Sequence, residues 1–440
     1  MYNINNHYDF VLQYANLKGI ATTLGYFFPF GATKFTNIEF LGTKNPDIAL
    51  LCYDQEPIDF TYNKGTFSYY SHTTTRDFND SSAAEAQVFS KFLQNIVTVE
   101  YQKIIRHKHV PIILLNTEKD SEEKNKVLKK FNFIDSYYFF HGLAAIDWFR
   151  GYQYCVELLP LRQRKIKKTF ISFNRIIGNS RIYRAFFVSL LNQKNLLEYG
   201  NVSFSKICPL HGALFPSVQL IPDKYNLDKD NFTKNLKQID LLPDLRIDSP
   251  VNSQIENKSY TLGSIPKLIE SFVHVVTETC FWDTKKHLTE KIFKPIVAKQ
   301  PFLLLGCKNN LSYLREYGFK TFSNWWSEDY DECSDPFERI EMVVKIIHDL
   351  TKLSNQQLEN LLIEMEDVLE HNYNLFYSKN FVEHILNELY TNLDLAIVQA
   401  QSQNVPKNPT LHYPYIDNHT EPSLYQIDKL ISHNLNKDCA

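Results

Sequence analysis

Short apolar runs bounded by polar clusters alternate along this chain with segments of helical periodicity. In the first half, the runs at 47–52, 110–115 and 137–140 predict strands. Residues 83–97 carry Val88, Phe89, Phe92 and Ile96 at the spacing of an amphipathic helix. Pro160 and a basic stretch, Arg162-Gln163-Arg164-Lys165-Ile166-Lys167-Lys168, then read as a solvated linker. Beyond it the alternation resumes, with strands at 169–173 and 202–204 and a helix at 181–191. A polar loop rich in Asp, Asn and Pro covers about 222–255, and two more apolar runs follow at 272–276 and 301–305. A helix over 311–317 ends at Gly318, a residue suited to a left-handed cap. Amphipathic helices are predicted over 336–353, 355–371 and 380–395, and the residues from 400 on read as a loosely ordered tail.

Strands that alternate with helices predict parallel sheets and an α/β fold class. The chain of 440 residues is too long for one ordinary core. The expected organisation is a Rossmann-like unit over 1–160, a second over 168–330, a helical extension over 336–398 and a tail over 400–440.

Composition narrows the function classes. A formal net charge of −3 argues against a globally basic nucleic-acid binder. Seven cysteines, an odd number with no Cys-x-x-Cys pair, predict reduced core thiols and a reducing compartment. No apolar run approaches the ~18 residues of a membrane span. The opening MYNINNHYDF lacks the charged and apolar regions of a leader, so a cytoplasmic location is expected.

The richest chemistry lies at 272–306. The run 272–276 ends in Thr277-Glu278-Thr279, and His287-Leu288 leads into Thr289-Glu290-Lys291 before a second apolar run closes on Gly306. This strand, loop, helix start and strand would bring carboxylates, hydroxyls and an ammonium to the end of a sheet, where α/β proteins bind ligands. Thr289 suits a cap, Lys291 suits phosphate oxygens and Glu290 suits ribose hydroxyls. Pro295 predicts a kink or a short first turn. Other candidates have plainer readings. Asp329 and Asp331 form an Asp-x-Asp of the kind that holds a divalent cation, but acidic residues before a helix usually complement its dipole. His141 reads as a strand-end turn residue, and Trp325 and Trp326 read as buried packing.

The order of motifs in 277–306 resembles the α1,3-fucosyltransferase family of nucleotide-sugar glycosyltransferases. Two further blocks match in order: 170–174 followed by the helix led by Arg184, and the run 49–53 ending in Asp54-Gln55-Glu56-Pro57. The resemblance implies the GT-B fold, with two Rossmann-like domains, the donor on the C-terminal one and the acceptor on the other. It implies inverting transfer of a sugar, fucose or a related one, without a metal or other cofactor. By position it assigns Glu56 as general base, Glu290 to the ribose, and Lys291 and Arg184 to the diphosphate, with Arg181 and Arg175 nearby. Glu278, Thr279, His287 and Thr289 complete the donor-binding set. Thr279 stands where the family has Asn, and His287 where it has an aromatic residue. The donor is therefore expected to be a nucleoside-diphosphate sugar, possibly GDP-linked, with base and sugar open. The acceptor is a hydroxyl compound such as a glycan, and DNA stays open as an acceptor. A non-catalytic protein on the same fold is the alternative from another class.

Overall fold

A computed structural model describes residues 7–26, 39–43, 46–54, 57, 60–63, 66–69, 110–154, 159–174, 176–208, 212–213, 218, 221–243, 245, 247 and 261–402. The fold is mixed α/β with parallel sheets and many helices. The chain divides into two compact units. The first comprises 1–118, 122–143 and 382–440, and the second comprises 119–121 and 144–381.

The first unit contains a five-stranded sheet: β1 (Thr22–Tyr26), β2 (Glu39–Gly42), β3 (Ile48–Tyr53), β4 (Ile112–Asn116) and β5 (Phe133–Tyr137). Their order is β2-β1-β3-β4-β5, parallel except for the β1–β2 pair. All six residues of β3 are buried, as expected of a central strand covered on both faces. The Tyr137–Phe140 run, expected as a strand, is divided. Tyr137 ends β5, and Phe140 opens helix α3 (Phe140–Phe149), after α1 (His7–Leu17) and α2 (Glu122–Phe131). The preceding Phe133-Ile134-Asp135-Ser136 makes the strand, although Asp135 and Ser136 dilute its apolar signal. The helix expected at 83–97 lies outside the described residues.

The second unit holds four parallel strands: β6 (Lys168–Asn174), β7 (Gly200–Phe204), β8 (Ser271–Thr277) and β9 (Phe302–Leu305). Their order is β9-β8-β6-β7. Every residue of β8 is buried. Helix α4 (Tyr183–Gln193) follows β6. Thr289 caps a 3-10 turn, Glu290–Ile292, which runs into the short helix α5 (Phe293–Val297) with Pro295 in its first turn. There the missing N–H of proline costs no helix bond, which accounts for the broken helix start. Helix α6 (Asn310–Glu316) leads on to α7 (Pro336–Leu350). The helix expected over 355–371 is two, α8 (Asn355–Glu364) and α9 (Glu366–Phe376), with Met365 between them.

Two sequence expectations need correcting here. The basic stretch is not simply a solvated linker. Arg164 is buried, and its guanidinium donates to the carbonyls of Leu159, Ala298 and Lys299 at 3.1, 2.7 and 2.9 Å. Nor do the C-terminal helices form one extension. Residues 336–381 belong to the second unit, whereas helix α10 (Lys379–Ser402) joins the first from Val382 onward. There Tyr390 stacks on Tyr14 at 4.2 Å, Asp394 takes bonds from Tyr14 and Lys18, and Asn392 donates to the Tyr137 carbonyl. Among the described residues, no helix is long and apolar enough to cross a membrane.

Candidate functional site

The chain leaves β6 toward β7 on one side, while β8 and β9 extend the sheet on the other, so the strand order reverses between β6 and β8. In an open parallel sheet such a reversal leaves a crevice at the carboxyl ends of the two strands. Asn174 ends β6 and Thr277 ends β8, and the Thr277 hydroxyl donates to the Asn174 side-chain oxygen at 3.1 Å and to the Phe173 carbonyl at 3.2 Å.

Glu278, the next residue, organises this end of the sheet. Its backbone N–H extends the ladder to the Leu305 carbonyl. Its carboxylate is fully buried and accepts from the Thr279 N–H at 3.1 Å, the Thr289 N–H at 3.2 Å and the Thr289 hydroxyl at 2.5 Å. Burial raises the Glu278 pKa, opposed by the Lys291 charge and the Thr289 hydroxyl. Glu278 is therefore a brace that holds the loop to the strand end.

That brace places Lys291. Its ammonium donates to the hydroxyls of Thr279 and Thr289, at 3.2 and 3.0 Å, and to Glu290 Oε1 at 3.1 Å. The Lys291 side chain keeps 28% of its surface exposed, against 4% for Glu290. A cation held at a strand end by two neutral hydroxyls and one carboxylate is suited to an anionic ligand.

The structure thus brings Glu278, Thr279, Thr289, Glu290 and Lys291 together. His287 sits behind them, fully buried. Its carbonyl accepts from the Asn310 amide at 3.0 Å, and its N–H donates back at 3.4 Å. Arg184 is placed differently from a diphosphate ligand. It is 3% exposed, and its guanidinium donates to the carbonyls of Ile176, Thr277 and Glu278, each at 2.8 Å. Tyr183 donates to the same Glu278 carbonyl at 2.5 Å, with its ring stacked 4.0 Å from that of Phe281. The start of α4 thus ties down the end of β8. Arg181 is buried in the turn before α4, and Arg175 lies outside the described residues.

Comparison of the chain with protein-family models, with curated proteins and with solved structures returns no match.

The remaining candidates resolve into packing and capping. Asp331 accepts from the N–H groups of Leu311 and Ser312 at 2.9 and 3.2 Å, so it serves the start of α6. His141 is buried in the first turn of α3 rather than in a strand-end turn. Trp326 packs on Phe322 with ring centroids 5.4 Å apart.

Glu56 lies outside the described residues, but Asp54 just before it does not. Asp54 follows the last residue of β3 and is fully buried. It accepts hydroxyl bonds from Tyr8, at 2.7 Å, and from Tyr138. His7 Nε2 lies 2.7 Å from the Tyr138 hydroxyl. Burial raises the Asp54 pKa to about 7, and lowers that of His7 to about 3. Sequence reasoning missed Tyr8, Tyr138, Tyr183 and Asn310 as parts of these assemblies. Each is a lone residue in an apolar or polar run, and only the fold shows what it touches.

Proposed function

We propose that the protein is a glycosyltransferase of GT-B arrangement that takes its sugar from a nucleoside-diphosphate donor bound at the carboxyl ends of β6 and β8. The observation that carries this reading is the partly exposed Lys291 ammonium, held by Thr279, Thr289 and Glu290 where the strand order reverses. Sugar transfer needs positive charge at the leaving diphosphate, and a preorganised cation supplies it without reorganisation during the reaction. In this reading Glu290, beside Lys291, accepts from the ribose hydroxyls. Arg184 acts through the backbone, as a positioning residue for Glu278 and Thr277. Inverting transfer also needs a base for the acceptor hydroxyl. In this reading the base is Glu56, two residues after Asp54 in the sequence, and no metal takes part. A glycan is the favoured acceptor class.

The test is thermal stabilisation by GDP, UDP, ADP and dTDP. One of them should raise the melting temperature of the wild type by an amount that grows with the logarithm of its concentration, and Lys291→Ala should abolish the rise. Absence of a shift with every nucleotide would sink the donor-site reading.

A further inference from the structure

A second lysine stands beside the first. Lys294 follows Lys291 by three residues and Glu290 by four, a spacing that puts side chains on one side of a helical segment. Lys294 feels the charges of both residues. It also acts on His274 of β8, whose ring is 3% exposed, with an Nδ1 that has no hydrogen-bond partner among the described residues. Lys291 has three oxygen partners. The Lys294 ammonium makes no hydrogen bond or ion pair to any described residue, although the residue is half-buried. An enclosed ammonium without a partner is unfavourable, and an anion that completes it recovers that cost.

Resting on the donor-site reading above, we propose that Lys294 and Lys291 form a two-cation cradle in which each lysine takes one phosphate of a diphosphate. The site then selects diphosphates over monophosphates. A single phosphate reaches one ammonium, whereas two linked phosphates reach both. Two charged groups act on Lys294: Glu290 favours its charge and Lys291 opposes it, while His274, held neutral by burial, adds no charge. Desolvation dominates and lowers the Lys294 pKa to about 8. Binding of an anion above that pH therefore requires uptake of a proton, and affinity falls as pH rises through 8.

The experiment is calorimetric titration of the full chain with inorganic pyrophosphate and with orthophosphate, at pH 7 and pH 9. Wild type should bind pyrophosphate the more tightly and lose affinity at pH 9. Lys294→Gln should bind pyrophosphate roughly tenfold more weakly at pH 7, the loss of one charge-assisted contact. It should also lose that fall between the two pH values, because pyrophosphate itself only gains negative charge as pH rises. Lys294→Arg, charged at both pH values, should restore binding and keep it at pH 9. The proposal is overturned if Lys294→Gln keeps wild-type affinity and pH response, or if wild type binds the two anions equally. In either case a nucleotide that still stabilises the wild type leaves the donor-site reading standing. If neither pyrophosphate nor any nucleotide binds, both fail.

Discussion

Asp54 shows how one buried carboxyl makes stability depend on pH. Its folded pKa, about 7, lies well above the ordinary value of 3.8. The folded state therefore holds its proton more tightly than the unfolded chain does. The resulting stability is fully present below about pH 4 and is lost as pH rises toward 7. His7 and His274, lowered to about 3 by burial, act in the opposite sense, adding stability as pH rises from about 3 to 6.5. Urea unfolding of wild type and Asp54→Asn at pH 5 and pH 8 separates the two effects. Each pH step over which only the folded state holds the proton costs about 1.4 kcal/mol, so the wild-type value should fall relative to the variant by on the order of 2 kcal/mol. Parallel pH responses would show that Asp54 is ionised throughout.

At the scale of elements, the two ends of the candidate site differ in how far the sequence disclosed them. Thr289-Glu290-Lys291 was legible because cap, carboxylate and ammonium are adjacent in the chain, and the cap forms as its residue type predicts. The role of Arg184 was not legible. An arginine in a helix start reads equally as a ligand contact or as a brace, and only the carbonyls of Ile176, Thr277 and Glu278 decide it. The alternation of strands and helices was plain in the apolar runs, but their order in the sheets was not, because pairing depends on contacts distant in sequence. The break at Met365 escaped because the apolar period continues through it. The loop after β9 offers a test at this scale. A Cβ on Gly306 would lie 2.8 Å from the Asn310 amide nitrogen, which holds the His287 carbonyl. Gly306→Ala should displace Asn310, loosen the loop before Thr289 and weaken the proposed nucleotide binding several-fold, while lowering stability by roughly 1–3 kcal/mol. Nucleotide titration together with urea unfolding reads both effects. Unchanged affinity would show that Asn310 is not needed to place Lys291.

At the scale of the whole molecule, the first unit draws on both ends of the chain and the second lies almost entirely between them. Loss of the last helix should therefore damage the distant N-terminal strands more than the nearer second unit. A chain ending at residue 381 lacks the partners of Tyr14, Tyr137 and Phe139 on α10, namely Tyr390, Asn392 and Glu388. Hydrogen exchange should show β1, β3 and β4 losing protection in that chain, while β6 and β8 keep theirs. Equal loss in both sheets would mean that the units unfold as one.

The same arrangement orders events during synthesis. Residues 7–143 leave the ribosome before the second unit, yet the helix they pack against follows it. At about 5–20 residues per second, the early strands wait roughly ten seconds to a minute for it. The second unit emerges meanwhile and has all its segments by residue 381. A nascent chain of this protein therefore carries the unit proposed to bind nucleotide in complete form while the first unit still lacks α10.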